Sequence, residues 1–238
     1  MFSRILSFFY SHPCSHCGHL DFLSNRFGVC IHCIRKRRKF QRDHFDPSVC
    51  SVCSHKREEG KDCAFCSSRF VFFSRLEFLH YRFPWEKETF QMCKFQKERL
   101  LSFYFALDFR RKKISKRQIE RPDAIVFLPS GDLKSGRGYH PAEILGKRLA
   151  LKWKIPILPG VRKASHEKQS GKMYRERFFH AKKAFLFRKN DRMCNGIHIL
   201  IIDDIFTTGA SLNEVARLYL ENGASRVSCM VLLINEGD

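Results

Sequence analysis

Four Cys-x-x-Cys knuckles, Cys14/Cys17, Cys30/Cys33, Cys50/Cys53 and Cys63/Cys66, fall within the first 66 residues of this 238-residue chain. Each knuckle sets two thiolates on one tight turn. Two knuckles complete a tetrahedral S4 site, the environment that structural zinc prefers. Twelve residues separate the first knuckle from the second, and nine separate the third from the fourth. Sequential pairing therefore gives two compact ribbons; pairing first with third and second with fourth is also within reach. Cysteines buried merely as small apolar residues need no fixed spacing, so the fourfold repetition predicts two Zn2+ sites. The remaining cysteines, Cys93, Cys194 and Cys229, stand apart.

Thiols available for metal imply a reducing compartment, and the expected location is cytoplasmic. Residues 1–10 carry a charge and a short apolar run, but Ser7 interrupts it and no small-residue cleavage site follows. They read as an ordered N-terminal segment and not as a signal peptide. No apolar run approaches the roughly 20 residues that a membrane span needs.

The cysteine pattern ends near residue 70. Residues 1–69 are expected to form the cysteine-rich module, and residues 70–238 an α/β domain whose alternating strand and helix signals point to a parallel sheet. Phe78–Phe83 reads as a strand or a connection, Trp85–Phe109 as mostly helical, Arg110–Arg121 as a basic connection, and Ala124–Leu128 as a buried strand. Pro141 opens a helix where its missing N–H costs nothing, continued by Ile144, Leu145, Leu149 and Trp153 at helical spacing. Gln169–His180 reads as a basic helix and Ala184–Phe187 as a strand. The clearest unit comes last: strand Ile197–Ile202, turn Asp203–Ser211, helix Leu212–Asn222 stopped by Gly223, then strand Val227–Ile234.

That final unit carries chemistry. A continuous apolar strand ends in Asp203-Asp204, and the carboxyl end of a parallel strand is where α/β sheets bind ligands. Paired carboxylates there can accept hydrogen bonds from a vicinal diol. Ile205, Phe206, Thr207, Thr208, Gly209, Ala210 and Ser211 lead into a helix, offering backbone N–H groups, hydroxyls and a positive dipole end to a phosphate. A diol beside a phosphate describes ribose 5-phosphate. Neither GxxxxGK[ST] nor GxGxxG is present, which argues against ATPase and Rossmann chemistry.

Charge adds a second line of reading. Lys+Arg 44 against Asp+Glu 24 gives +20, which calls for anionic partners. The run Arg35-Lys36-Arg37-Arg38-Lys39 beside Cys33 serves either to offset the negative Zn(Cys)4 centres or to contact nucleic acid. The 24 phenylalanines fall mostly at core spacing, so they do not by themselves form a stacking platform for bases.

The segment Ile199–Ser211 resembles the phosphoribosyl-pyrophosphate motif of type I phosphoribosyltransferases. With the four knuckles upstream, the chain is similar to the ComF family, in which a double zinc ribbon precedes a phosphoribosyltransferase-like domain. Lys94-Phe95 resembles that family's Lys-aromatic pair, Arg137-Gly138-Tyr139 its Arg-Gly-aromatic segment, and Gln169, Gly171 and Arg177 its Gln…Gly…Arg helix. The resemblance implies phosphoribosyl pyrophosphate, bound with Mg2+ at Asp203–Ser211, with Asp203 and Asp204 on the ribose hydroxyls and candidates for catalysis. It also nominates Lys94, Arg137 and Arg177 for the pyrophosphate. Lys168, Lys172 and Arg175 are nominated by charge alone and otherwise read as a solvated helix face. Leu128-Pro129-Ser130-Gly131-Asp132 departs from the family's Pro-Val-Pro-Leu-His. The sequence supports two functions: a phosphoribosyltransferase-type enzyme or binder, or a non-catalytic factor holding single-stranded DNA or DNA-uptake proteins through its ribbons and basic surface.

Overall fold

Residues 227–234 and 199–202 are largely aliphatic runs, buried on both faces, and the strands that hold them form the centre of a sheet. The computed structural model describes residues 12–44, 48–50, 52–53, 55, 57–58, 61–67, 70–95, 100–105, 120–129, 140–159, 161–163, 181–182, 184–187 and 194–235. In chain order the elements are helices α1 (Phe22–Phe27), α2 (Ile31–Asp43) and α3 (Ala64–Ser67), strand β1 (Leu76–Tyr81), helix α4 (Pro84–Phe95), strand β2 (Ala124–Phe127) and helix α5 (Pro141–Trp153). They continue with short strands β3 (Arg162–Lys163) and β4 (Phe185–Leu186), strand β5 (His198–Phe206), helix α6 (Ala210–Glu221) and strand β6 (Arg226–Ile234). Residues 100–105 are helical as well.

The main sheet runs β1-β6-β5-β2 with every pairing parallel, as expected for the α/β domain. β3 and β4 pair antiparallel to each other. Alternate residues feed two apolar layers. Val126, Ile199, Ile201, Val227 and Val231 join Leu212, Val215 and Tyr219 of α6 on one face. Ile125, Leu200, Ile202 and Met230 join Phe90 of α4, Leu101, Tyr104 and Leu145 and Leu149 of α5 on the other. The cysteines divide the same way: Cys50, Cys53 and Cys63 belong to the α6 layer, and Cys14 and Cys30 to the α4–α5 layer.

Two local features set helix positions. Gly146 lets α5 approach the sheet: a Cβ there would lie 2.2 Å from Phe127 Cε1 and 3.1 Å from Ile202 Cδ1. Arg37, from the basic run in α2, turns inward and pairs with the fully buried Glu86 of α4. Its guanidinium also lies 5.2 Å from the Phe83 ring centre and 5.4 Å from that of Trp85. Burial pulls the Arg37 pKa down to about 10. The run is therefore divided: Arg35, Lys36 and Lys39 remain exposed, as does Arg42 beyond it, while Arg38 is half-buried and Arg37 is core.

The structure moves one boundary that matters. β5 continues through Asp203 and Asp204 to Phe206, beyond the strand end expected at Ile202. Backbone pairing with β6, up to Phe206↔Ile234, carries the strand past the polar pair. Expectations for residues 1–10, 110–119, 130–132, 137–139 and 169–180 lie outside the described residues.

Candidate functional site

β2 stops pairing at Phe127↔Ile202, and the Leu128 N–H donates to the Ile202 carbonyl at 3.2 Å. Past that point β5 pairs with β6 on one side and, among the described residues, with no strand on the other. The helix after β2, α5, packs on one face of the sheet, and the helix after β5, α6, packs on the opposite face. Their divergence makes the carboxyl ends of β2 and β5 a topological switch point, where open α/β sheets form a ligand crevice.

Asp203 and Asp204 stand there on consecutive strand positions, so they straddle the sheet edge rather than sharing a turn. Asp204, 8% exposed, faces α4 and α5. Its Oδ1 accepts the Ala142 N–H at 3.2 Å, in the first turn of α5, and its Oδ2 lies 2.6 Å from Lys94 Nζ. Asp203 is half-buried on the other side, close enough to the wholly buried Cys229 to add to the upward push that burial gives that thiol.

The expected loop is shorter than its sequence suggested. Ile205 and Phe206 are strand, Thr207 and Thr208 turn, and Gly209 is the N-cap of α6. Gly209 holds φ 69°, the left-handed conformation in which a side chain is strained. No side chain caps this helix and its first turn carries no acid, although the Thr208 hydroxyl accepts the Ala210 N–H at 3.4 Å. With Ser211 half-buried beside it, the turn directs a helix N-terminus toward the crevice. Of the residues nominated for pyrophosphate, Lys94 sits on Asp204. Arg137 and Arg177 lie outside the described residues, as do Lys168, Lys172 and Arg175.

The cysteine knuckles pair sequentially. Cys14, Cys17, Cys30 and Cys33 form one group and Cys50, Cys53, Cys63 and Cys66 the other, each with its sulfurs within 4.8 Å of one another. None of the eight is in a disulfide. Sulfur separations of 3.5 Å for Cys17–Cys30, 3.9 Å for Cys50–Cys66 and 3.3 Å for Cys53–Cys63 suit the tetrahedron edge of about 3.8 Å that Zn–S bonds of about 2.3 Å require. Burial raises the Cys14 thiol, but N–H groups of Cys30, His16 and Cys17 outweigh it and take the pKa to about 7. Burial pushes the Cys50 thiol up too, but the N–H groups of Cys53 and of Val52, the latter 3.4 Å from Cys50 Sγ, outweigh it and hold that thiol below its usual range. These N–H···S contacts favour thiolate, the metal-binding form, at Cys14 and Cys50, whereas burial pushes the Cys30, Cys33, Cys53 and Cys66 thiols up. Each group can hold one metal ion.

Both groups are tied to the elements that carry Asp203, Asp204 and Lys94 by contacts that sequence reasoning missed. His16, inside the first knuckle, stacks on Trp85 of α4 at 4.2 Å and bonds the Thr89 hydroxyl at 2.9 Å. On the other face, the His55 ring meets Phe206 edge-on at 5.6 Å, next to the turn. Asn213 of α6 accepts the Phe72 N–H and donates to the Phe70 carbonyl, both at 2.8 Å, fastening the segment that leaves the second group. No spacing signal in the sequence marks these residues.

Residues 135–237 match a family model described as phosphoribosyl transferase domain. Competence protein ComFC of Bacillus subtilis is 31% identical over 149 residues, 62% of this chain and 59% of that protein. Competence protein F of Haemophilus influenzae is 26% identical over 229 residues, covering 92% and 95%. A DNA utilization protein of Salmonella typhimurium, YhgH, is 29% identical over 119 residues, about half of each chain. Among solved structures, adenine phosphoribosyltransferase of Saccharomyces cerevisiae overlaps 58% of this chain and 71% of its own at 21% identity, with a TM-score of 0.38. The ComF resemblance is borne out by these homologues, the domain match and the two four-cysteine groups.

Proposed function

We propose that this chain, whose homologues are competence proteins of the ComF type and whose residues 135–237 match a phosphoribosyl transferase domain, binds the ribose 5-phosphate portion of phosphoribosyl pyrophosphate or a nucleotide at the β2–β5 crevice. The observation that carries this reading is the continuous unit from Asp203-Asp204 through Thr207–Gly209 to the uncapped start of α6. The carboxylates accept from ribose hydroxyls while the turn and helix N-terminus take the 5-phosphate. Mg2+ would arrive on the diphosphate, held chiefly by its oxygens and water. Each cysteine group holds a structural Zn2+.

Transfer of the phosphoribosyl group would break the C1–O bond to diphosphate, which leaves with the bonding electrons as an acceptor attacks C1. That step needs cations on the leaving group. Calorimetric titration of phosphoribosyl pyrophosphate with Mg2+ tests the reading: the wild type binds, and the Asp203→Asn/Asp204→Asn variant does not. An unresponsive wild type refutes it.

A second reading is favoured by the exposed cations of α2, where Arg35, Lys39 and Arg42 repeat at helical spacing beside Lys36. Together with the competence and DNA-utilization names of the relatives, they support a backbone contact to single-stranded DNA. Such binding weakens as salt rises and survives the double aspartate substitution.

A further inference from the structure

Lys94 closes the last turn of α4, and its Nζ lies 2.6 Å from Asp204 Oδ2. Lys94 is mostly buried, with a side chain 18% exposed against 11% for Asp204, and its ammonium stands 4.6 Å from the Phe90 ring centre. The helix beneath it is fixed at its other end by the Arg37–Glu86 pair and the His16–Trp85 stack. A lysine so held is committed to its carboxylate, and reaching a diphosphate would break a buried ion pair and leave Asp204 with, among the described residues, the Ala142 N–H alone.

We infer that Lys94 is a positioning residue acting through Asp204 and does not contact the diphosphate. It has two effects. It fixes the Asp204 carboxylate against the first turn of α5, so that the group is aimed before a sugar arrives. It also neutralises one of two adjacent negative charges, so that a phosphorylated ligand approaches an acid pair carrying one net charge instead of two. This deepens the proposed function and rests on that reading of the crevice.

Two probes separate the roles. Ribose 5-phosphate has no diphosphate; phosphoribosyl pyrophosphate does. Lys94→Met is expected to weaken both by a similar factor, roughly 10- to 100-fold, the range typical when the partner that orients a ligand-holding group is removed. Lys94→Arg, which keeps the positive charge though not the compact ammonium, loses less than Lys94→Met on both probes. In an Asp204→Asn background, Lys94→Met adds less than about threefold, because the group it acts through has lost its charge. A purely structural role would not spare the Asp204→Asn background. Circular dichroism shows whether each variant is folded, and should Lys94→Met not fold, Lys94→Gln is measured in its place.

If Lys94→Met weakens phosphoribosyl pyrophosphate while leaving ribose 5-phosphate unchanged, Lys94 contacts the diphosphate and this inference fails while the crevice reading stands. If the wild type binds neither probe, the crevice reading fails and takes this inference with it.

Discussion

Replacing Gly146 by alanine puts a measurable number on how closely α5 sits against the sheet. The new Cβ would lie 2.2 Å from Phe127 Cε1, 2.7 Å from Phe127 Cζ and 3.1 Å from Ile202 Cδ1. Ordinary carbon–carbon contacts are about 3.5–4.0 Å, so the ring or the helix must give by about 1.3 Å or more. Overpacking of a dense core costs roughly 1–3 kcal/mol, and so short a contact belongs in the upper part of that range. Alanine returns about 1 kcal/mol of helix propensity over glycine. The net expectation for Gly146→Ala is a loss of roughly 1–2 kcal/mol, or a fall in Tm of roughly 2–8 °C for a chain of this length. Ala142, whose N–H holds Asp204, lies one turn earlier on the same helix, so ribose 5-phosphate binding should weaken as well. Denaturant unfolding of Gly146→Ala, Phe127→Leu and the double variant forms the assay. Shortening the ring relieves the clash, so the double variant should be more stable than the sum of the singles predicts by at least about 1 kcal/mol. A Gly146→Ala protein stabilised by the full helix-propensity gain, or strict additivity in the cycle, would refute the reasoning.

Three further outcomes are expected. Arg37→Met leaves Glu86 charged and buried, costing about 3–5 kcal/mol in denaturant unfolding, and Arg37→Met/Glu86→Leu recovers most of it; a single-variant cost under about 1 kcal/mol would mean that Glu86 is not held as an ion there. Stripping metal with a mercurial reagent should release two Zn2+ per chain and lower the main thermal transition, because Cys50, Cys53 and Cys63 share an apolar layer with Val126, Ile201 and Val231. An unchanged transition after full release would contradict that coupling. Burial first, then the Arg226 charge, holds the His198 pKa below its usual value. The unfolded chain therefore takes up more protons than the native one as pH falls below about 6.5. Stability should fall with acid through that range, and His198→Gln should flatten the dependence in unfolding curves taken from pH 7 to 5.

Legibility from sequence followed the kind of force at work. The β5–α6–β6 unit and the α5 start at Pro141 were readable because apolar periodicity and a proline at the first helical position act locally. The β5 end was misplaced because two aspartates look like a strand terminus. Pairing with the long apolar β6 overrides that local signal. The knuckles declared their ligands, but the choice between pairing patterns depends on which ribbon meets which face of the sheet, and that is a tertiary fact. Arg37 and Lys94 were the hardest. Both sit among other cations in the sequence, and only the positions of Glu86 and Asp204 in space single them out as buried counter-ions. The α2 helix itself was not foreseen, since no apolar stripe of ordinary width runs along so basic a segment.

The outer strand β1 has a feature with consequences for self-association. Gln41 of α2 donates its side-chain amide to the Tyr81 carbonyl at 2.9 Å and accepts the Tyr81 N–H at 3.1 Å, reproducing the bonds of a neighbouring strand at that one residue. At the opposite margin, the Ile125 N–H donates to the Pro156 carbonyl and the Leu158 N–H to the Ile125 carbonyl, so a connecting segment covers part of β2. With both rims of an open sheet partly sealed from within the same chain, fewer unpaired backbone groups are left to template strand-to-strand polymerisation.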